Sequence, residues 1–344
     1  MIYNRFLILT LCFILSVSLV VLLYFLSVKI SHNKNNFIRV IPSHKIVPNN
    51  IIDLKVGRWY LAGITHDSIY VGNLYTPRKL LKVDSAVKDT ISYRLNFPNG
   101  TKLTRSYFNL IEKGTVYTLD GNQPILLTCD ISELSLKLAT KPPYFTQAVN
   151  VNKRSFVFRI VQNGENKLVR YRTDSSGFKE SPNLLRKQVD GIFSTDGNLV
   201  AEPKSGKVFY VYYYRNEFIC ADSNLKLIYQ GKTIDTNSIA KLKVAKIQSQ
   251  NQTTLAAPPI EVNKRVAVNE NFLFVQSGLI ADNEVPESLE SVSTIDVYAI
   301  KDGEYQFSFY LPDFNRKKLT DFRVYGKNLY ALFDHYLYKY RLNF

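Results

Sequence analysis

The chain is poor in the residues from which most catalytic and metal-binding sites are built: its 344 residues include 4 His, 3 Cys, 1 Met and 1 Trp. It has no G-x-S-x-G stretch, which excludes the nucleophile elbow of the α/β hydrolases. Ser176-Gly177 and Ser205-Gly206 read as turns instead. A D-x-D-x-D-G loop is also missing, which excludes an EF-hand calcium site. The pairs Asp120-Gly121, Asp190-Gly191, Asp196-Gly197 and Asp302-Gly303 are turn signals. Lys and Arg number 44 against 29 Asp and Glu, a net charge of +15, yet no run resembles KKRKR and no helix is arginine-rich. The basic residues are spread through turns and strand ends, so nucleic acid is not an expected partner.

The four histidines offer little chemistry. His66-Asp67 and Asp334-His335 fall at tight turns, where Asp accepts backbone bonds and His faces solvent. No third ligand stands at a suitable spacing for a metal or acid–base site. His32 and His44 lie in a polar linker. Cys129 (ILLTCD) and Cys220 (FICAD) each end a strand before an Asp, at equivalent places in repeats about two units apart. That separation exceeds the roughly 7 Å between Cα atoms that a disulfide spans. Both read as buried free thiols, unactivated in apolar strands. The sequence therefore names no catalytic residue, no metal ligand and no cofactor.

Aromatics are plentiful, with 23 Tyr and 21 Phe, a balance suited to pleated, half-buried surfaces. Residues 190–235 set the pattern. Four short β-rich runs, Asn198–Glu202, Lys207–Tyr213, Glu217–Ala221 and Leu225–Tyr229, are separated by turn signals. The run Val208–Tyr214 has no polar face, so that strand is covered on both sides. Four antiparallel strands in about 45 residues, the second doubly buried, describe a β-propeller blade. The Tyr210–Tyr214 and Tyr336–Tyr340 runs are read as inter-blade packing before glycan contacts.

Before this pattern begins, Phe6–Val28 carries no charge and is long enough to cross a bilayer. Ser27-Val28-Lys29-Ile30-Ser31 is a poor cleavage site and Cys12 a poor lipobox cysteine, so an uncleaved signal anchor is expected. The expected layout is a short tail at 1–5, an anchor at 6–28, a tether at 29–50 and a propeller over 51–344. Lys29, Lys34, Arg39 and Lys45 after the helix argue for a cytoplasmic domain. Long segments translocate largely regardless of charge, however, and an extracytoplasmic (periplasmic) domain on a single-pass anchor is the favoured topology.

The strand runs fall into six units, for an all-β, six-bladed propeller with an N-terminal transmembrane helix. The third unit takes LLRKQV (184–189) as its fourth strand. KLKVAKI (241–247) is an extra strand in a surface excursion over 236–263, where a seventh blade is the alternative. The last unit has three strands, and Ile51–Val56 is expected to supply the fourth and close the ring.

Edges such as VYTLDGNQP, FICADSNLKL, DVYAIKDGEY and LYALFDHYLYKYRL resemble the six-bladed NHL/YVTN-type propellers of exported bacterial proteins. The likeness covers about 51–344 and rests on strand–turn rhythm; no WD dipeptide, kelch double glycine or tryptophan docking motif is present. It implies a binding or scaffolding module for a protein or glycan partner. The runner-up it implies is an exported propeller enzyme, metal-dependent or quinoprotein-like, with its site in the axial channel. Converging carboxylate, Asn or His side chains at one channel mouth would favour the enzyme.

Overall fold

The middle strands of the repeats are the most deeply buried elements of the molecule, because they are sandwiched between the neighbouring blades. In a computed structural model, which describes residues 2–31, 35–55, 57–152, 154–174, 178–180, 184–247 and 252–344, the strands form six four-stranded sheets and one two-stranded hairpin. Helix α1 (Ile2–Ser31) contains an apolar span, Phe6–Phe25, long enough to cross a membrane. Strand β1 (Ile46–Asp53) follows. Blade 1 is β2 (Trp59–Ile64), β3 (Ser68–Asn73), β4 (Lys79–Asp84) and β5 (Thr90–Arg94). Blade 2 is β6 (Tyr107–Glu112), β7 (Thr115–Asp120), β8 (Ile125–Asp130) and β9 (Lys137–Thr140). Blade 3 is β10 (Gln147–Asn152), β11 (Ser155–Gln162), β12 (Glu165–Arg172) and β13 (Phe178–Glu180). Blade 4 is β14 (Gly197–Ala201), β15 (Val208–Tyr212), β16 (Glu217–Ala221) and β17 (Leu227–Lys232). A hairpin of β18 (Val244–Ile247) and β19 (Gln252–Leu255) precedes blade 5, which is β20 (Asn263–Val268), β21 (Phe272–Ser277), β22 (Val292–Ala299) and β23 (Tyr305–Pro312). Blade 6 is β24 (Asp321–Tyr325), β25 (Asn328–Phe333) and β26 (Tyr336–Leu342), with β1 as its outermost strand.

Burial follows position in the blade. The second strands β3 and β15 are buried at every residue, whereas the outer strands β5, β9 and β17 have no buried residue. Six apolar clusters among the described residues fill the seams, one between each pair of neighbouring blades. The blade 6–blade 1 seam is packed like the others, with Leu332, Leu337 and Tyr330 against Leu61, Val71 and Val83. A closed ring of six results, and Tyr210, Tyr212, Tyr338 and Tyr340 belong to seams, as packing aromatics.

Four expectations need correction. The fourth strand of blade 3 is Phe178–Glu180, not 184–189. Leu184 and Leu185 instead enter the blade 3–4 seam, which withdraws them from any sheet. The excursion carries a hairpin where one strand was expected, and two strands make no seventh blade. The closing strand begins at Ile46, ahead of Ile51, and Val56 lies outside the described residues. Finally, residues 35–45 are bound to the propeller. The Ser308 N–H donates to Val40 O at 2.8 Å and the Asn343 N–H to Lys45 O at 2.9 Å.

Candidate binding cleft at the channel mouth

Each blade's first strand lines the central channel, and all six run in the same direction because every blade repeats the same up-and-down order. The end where these strands begin is called the upper end here. Side chains stitch neighbouring first strands together near it. Tyr60 Oη accepts the Asn109 N–H at 2.7 Å. Gln147 donates to Gly197 O and accepts from the Leu199 N–H, at 2.8 and 2.9 Å. Asn198 donates to Lys264 O at 3.0 Å, Arg265 Nε to Thr320 O at 2.6 Å, and the Leu61 N–H to Asp321 Oδ2 at 2.8 Å. First strands present an open edge toward the channel, and these bonds satisfy part of it.

The channel itself holds about 240 Å³ and mixes apolar and polar groups, with Phe108, Leu110 and Phe322 along it beside Asn150 and Arg323. Glu112 ends β6 at the lower mouth, and burial raises its carboxyl against the pull of Lys113 and Arg323. Asp321 starts β24 at the upper mouth, its carboxyl also raised by burial against Arg323. The two carboxylates thus sit at opposite ends. Among the described residues, no three His, Cys, Asp or Glu gather as metal ligands.

A larger cleft of about 540 Å³ opens at the upper mouth over blades 5, 6 and 1. Four cations line it, Arg58, Arg265, Lys317 and Lys318, beside Trp59, Tyr60, Asp321 and Asp334. Lys317 lies 3.2 Å from Asp334, and Lys318 lies 2.8 Å from Asp313, which is outside the lining. Arg265 is held by Thr320 O and by Gln276 Oε1 at 3.0 Å. Arg58, at a positive φ of 69°, stacks 6.0 Å from the Tyr75 ring centroid and has no carboxylate partner among the described residues. Buried Trp59 Nε1 has no hydrogen-bond partner among the described residues, an uncommon state for a buried donor. The cleft is therefore a cationic recess in which Arg58 lacks a carboxylate partner among the described residues.

The residues weighed from sequence lie elsewhere or are structural. His66 and Asp67 pair with each other in full exposure. His335 approaches Asp53 at 3.7 Å and Asp334 at 3.5 Å, which places it near the cleft wall. His44 holds a bend at φ 58°, and its carbonyl accepts from Asn343; His32 lies outside the described residues. Cys129 and Cys220 are free and buried, and burial pushes each thiol up to about 11. The Asp-Gly carboxylates serve the chain itself. Asp120 accepts from Thr104, Asn122 and Gln123; Asp190 accepts from the N–H groups of Ile192, Phe193 and Ser194; Asp196 pairs with Arg159. Reading the sequence missed Arg58, Lys317 and Lys318 because they sit in connections of separate blades. Only a register of all blades could have brought them together.

Fold and mouth together define a six-bladed β-propeller preceded by an apolar, membrane-spanning-length helix. No family model matches the chain, and no curated protein matches it. It is similar to the solved structure of a DUF4221-family member from Bacteroides vulgatus, at 11% identity and a TM-score of 0.52, over 90% of this chain and 99% of that one. A Bacteroides fragilis protein described as a candidate exported protein is similar at 10% identity and a TM-score of 0.49, over 90% of this chain and 95% of that one. The likeness is one of fold.

Proposed function

We propose that the chain is a non-catalytic, membrane-tethered binding or scaffolding module whose propeller stands on the extracytoplasmic side. Within propellers we place it beside the NHL/YVTN type, on the strand–turn rhythm of its blades. Its partner is a protein or glycan bearing acidic groups, bound in the upper cleft. One observation carries this reading: the cleft sets Arg58, which has no carboxylate partner among the described residues, beside Arg265, Lys317 and Lys318. Guanidinium groups favour planar anions such as carboxylates and sulfates. α1 remains as the anchor, since it has spanning length and a poor cleavage site. The test compares the full chain with an Arg58→Glu/Arg265→Glu variant, both purified from membranes. Acidic polysaccharides and co-purifying proteins should be retained by the parent and lost by the variant. Equal retention by both would remove the cleft from the reading.

A further inference from the structure

We infer that the upper rim of blades 4 and 5 rests on the anionic surface of the bilayer that holds α1. This rests on α1 remaining attached, as proposed above. The apolar span ends at Phe25, α1 runs on to Ser31, and Asn35 is already fixed to blade 5. The Asn35 N–H donates to Asp282 Oδ1 at 2.7 Å, and its side-chain amide to Ile280 O at 2.8 Å. From Phe25 to Asn35 the chain reaches at most about 25 Å. A headgroup layer takes up roughly 6 Å of that. A domain of this size is about 50 Å across. Asn35 therefore cannot swing the propeller clear of the membrane, and the end that bears it must face the lipid.

That end is the upper one. β21 pairs Ser277 with Asn263 at the start of β20, so the loop carrying Asp282 leaves blade 5 at the upper end. The neighbouring connections join it directly. Thr236 Oγ1 donates to Asn35 O at 2.8 Å, Gln188 Nε2 to Ser238 O at 2.9 Å, and the Ala240 N–H to Gln188 Oε1 at 2.8 Å. Along this stitched surface Ile38, Val189, Ile239 and Val285 are each more than half exposed. Lys232, Lys241 and Lys243 are exposed beside them, and Lys187 is paired with Glu165. A recess of about 500 Å³ is lined by Arg186, Lys187 and Lys232. The carboxylates of the docking loop are partly engaged: Glu284 by Arg39 and Asp282 by the Asn35 and Asn36 N–H groups, with Glu287 and Glu290 exposed. Apolar side chains flanked by lysines match the boundary between acyl chains and anionic headgroups. The cationic cleft opens at the same end over blades 5, 6 and 1 and borders this contact, since Lys318 Nζ on its wall donates to Glu290 O of the docking loop.

The natural tryptophan, Trp59, is buried, so an added tryptophan reports its own surroundings. The full chain carrying Ile239→Trp, and separately Tyr325→Trp at the lower mouth, is placed in nanodiscs containing phospholipids brominated high on their acyl chains. Half the lipid is phosphatidylglycerol, and each variant is read against the parent. Ile239→Trp should lose most of its added fluorescence and Tyr325→Trp should keep it. Adding Lys232→Glu, Lys241→Glu and Lys243→Glu, or using neutral lipid, should restore the Ile239→Trp signal. Equal signals from the two tryptophans in discs that retain the chain would overturn the docking alone. Quenching that ignores charge would overturn the anionic surface. A chain that leaves the discs would show the anchor to be wrong, and the docking falls with it.

Discussion

Arg39 Nε lies 2.8 Å from Asp296 Oδ1, although 257 residues separate the two in sequence. The second fork nitrogen meets Asp296 Oδ2 at 3.2 Å, and Nη1 meets Glu284. Leu279 O and Ser277 Oγ accept the remaining donors at 3.1 and 2.8 Å. A segment expected to be a tether is thus locked into blade 5 by a buried, fully satisfied guanidinium.

Arg39→Ala should accordingly destabilise the propeller by about 3–5 kcal/mol, because Asp296 and Glu284 would be left buried without a counter-charge. Arg39→Lys should recover only part, since an ammonium cannot make the forked contact. Denaturant unfolding of the full chain in detergent, followed by Trp59 fluorescence, measures both. A loss under about 1 kcal/mol for Arg39→Ala would mean that the segment is not held there in solution.

The anchor prediction is simpler. N-terminal sequencing of the protein isolated from cells should recover residues upstream of Lys29. Soluble material beginning near Ile30 would show that the helix is a cleaved signal.

Blade strands were legible because their physical signature is local. β15 has no polar face, and β6 alternates buried and part-buried residues along its length. Turns marked the intervals between them. What could not be read depended on partners far along the chain. Residues 35–45 look like a linker because Pro42 and the asparagines are visible in sequence while Asp296 is not. Leu184 and Leu185 looked like strand because a seam-filling pair and a strand carry the same apolar signal. Arg58, Lys317 and Lys318 are unremarkable singly, and become a site only when blades 6 and 1 meet.

Cys129 and Cys220 belong to the third strands of blades 2 and 4, and neither is paired. With their thiols raised to about 11 by burial, they should resist alkylation in the folded chain and react once it is unfolded. Mass spectrometry of non-reduced protein reads this directly, and a peptide pair linked through these two residues would contradict the blade assignment.

Asp84 caps the turn after β4. Burial raises its carboxyl, but the N–H groups of Asp89 and Lys88 at 2.7 Å and Ala86 at 3.0 Å outweigh this and hold it below its ordinary 3.8. A folded-state value below the unfolded one stabilises above the unfolded value and is lost as pH falls through the folded one. Asp84→Asn keeps an acceptor but not the charge, and should cost about 1 kcal/mol near neutral pH after allowance for partial exposure. Its deficit against the parent should shrink below pH ~4, where the parent's carboxylate is also neutralised. A deficit independent of pH would remove the carboxylate's charge from the explanation.

Ring closure can be tested by two substitutions one residue apart. β1 pairs with β26 in a register that sets Ile51 opposite Tyr338 and Ile52 opposite Leu337. Adjacent strand residues face opposite sides, so a slip of one position would exchange their roles. Ile52 packs against the blade 6–blade 1 cluster of Leu54, Leu337 and Tyr330, while Ile51 is exposed. Ile52→Asp places a charge at that seam and should destabilise by roughly 2–3 kcal/mol. Ile51→Asp, on the solvent side, should change stability by less than about 0.5 kcal/mol. Denaturant unfolding of the two variants, matched against the parent, separates the outcomes. Equal losses would place the closing strand in another register, and the reverse order would shift it by one residue.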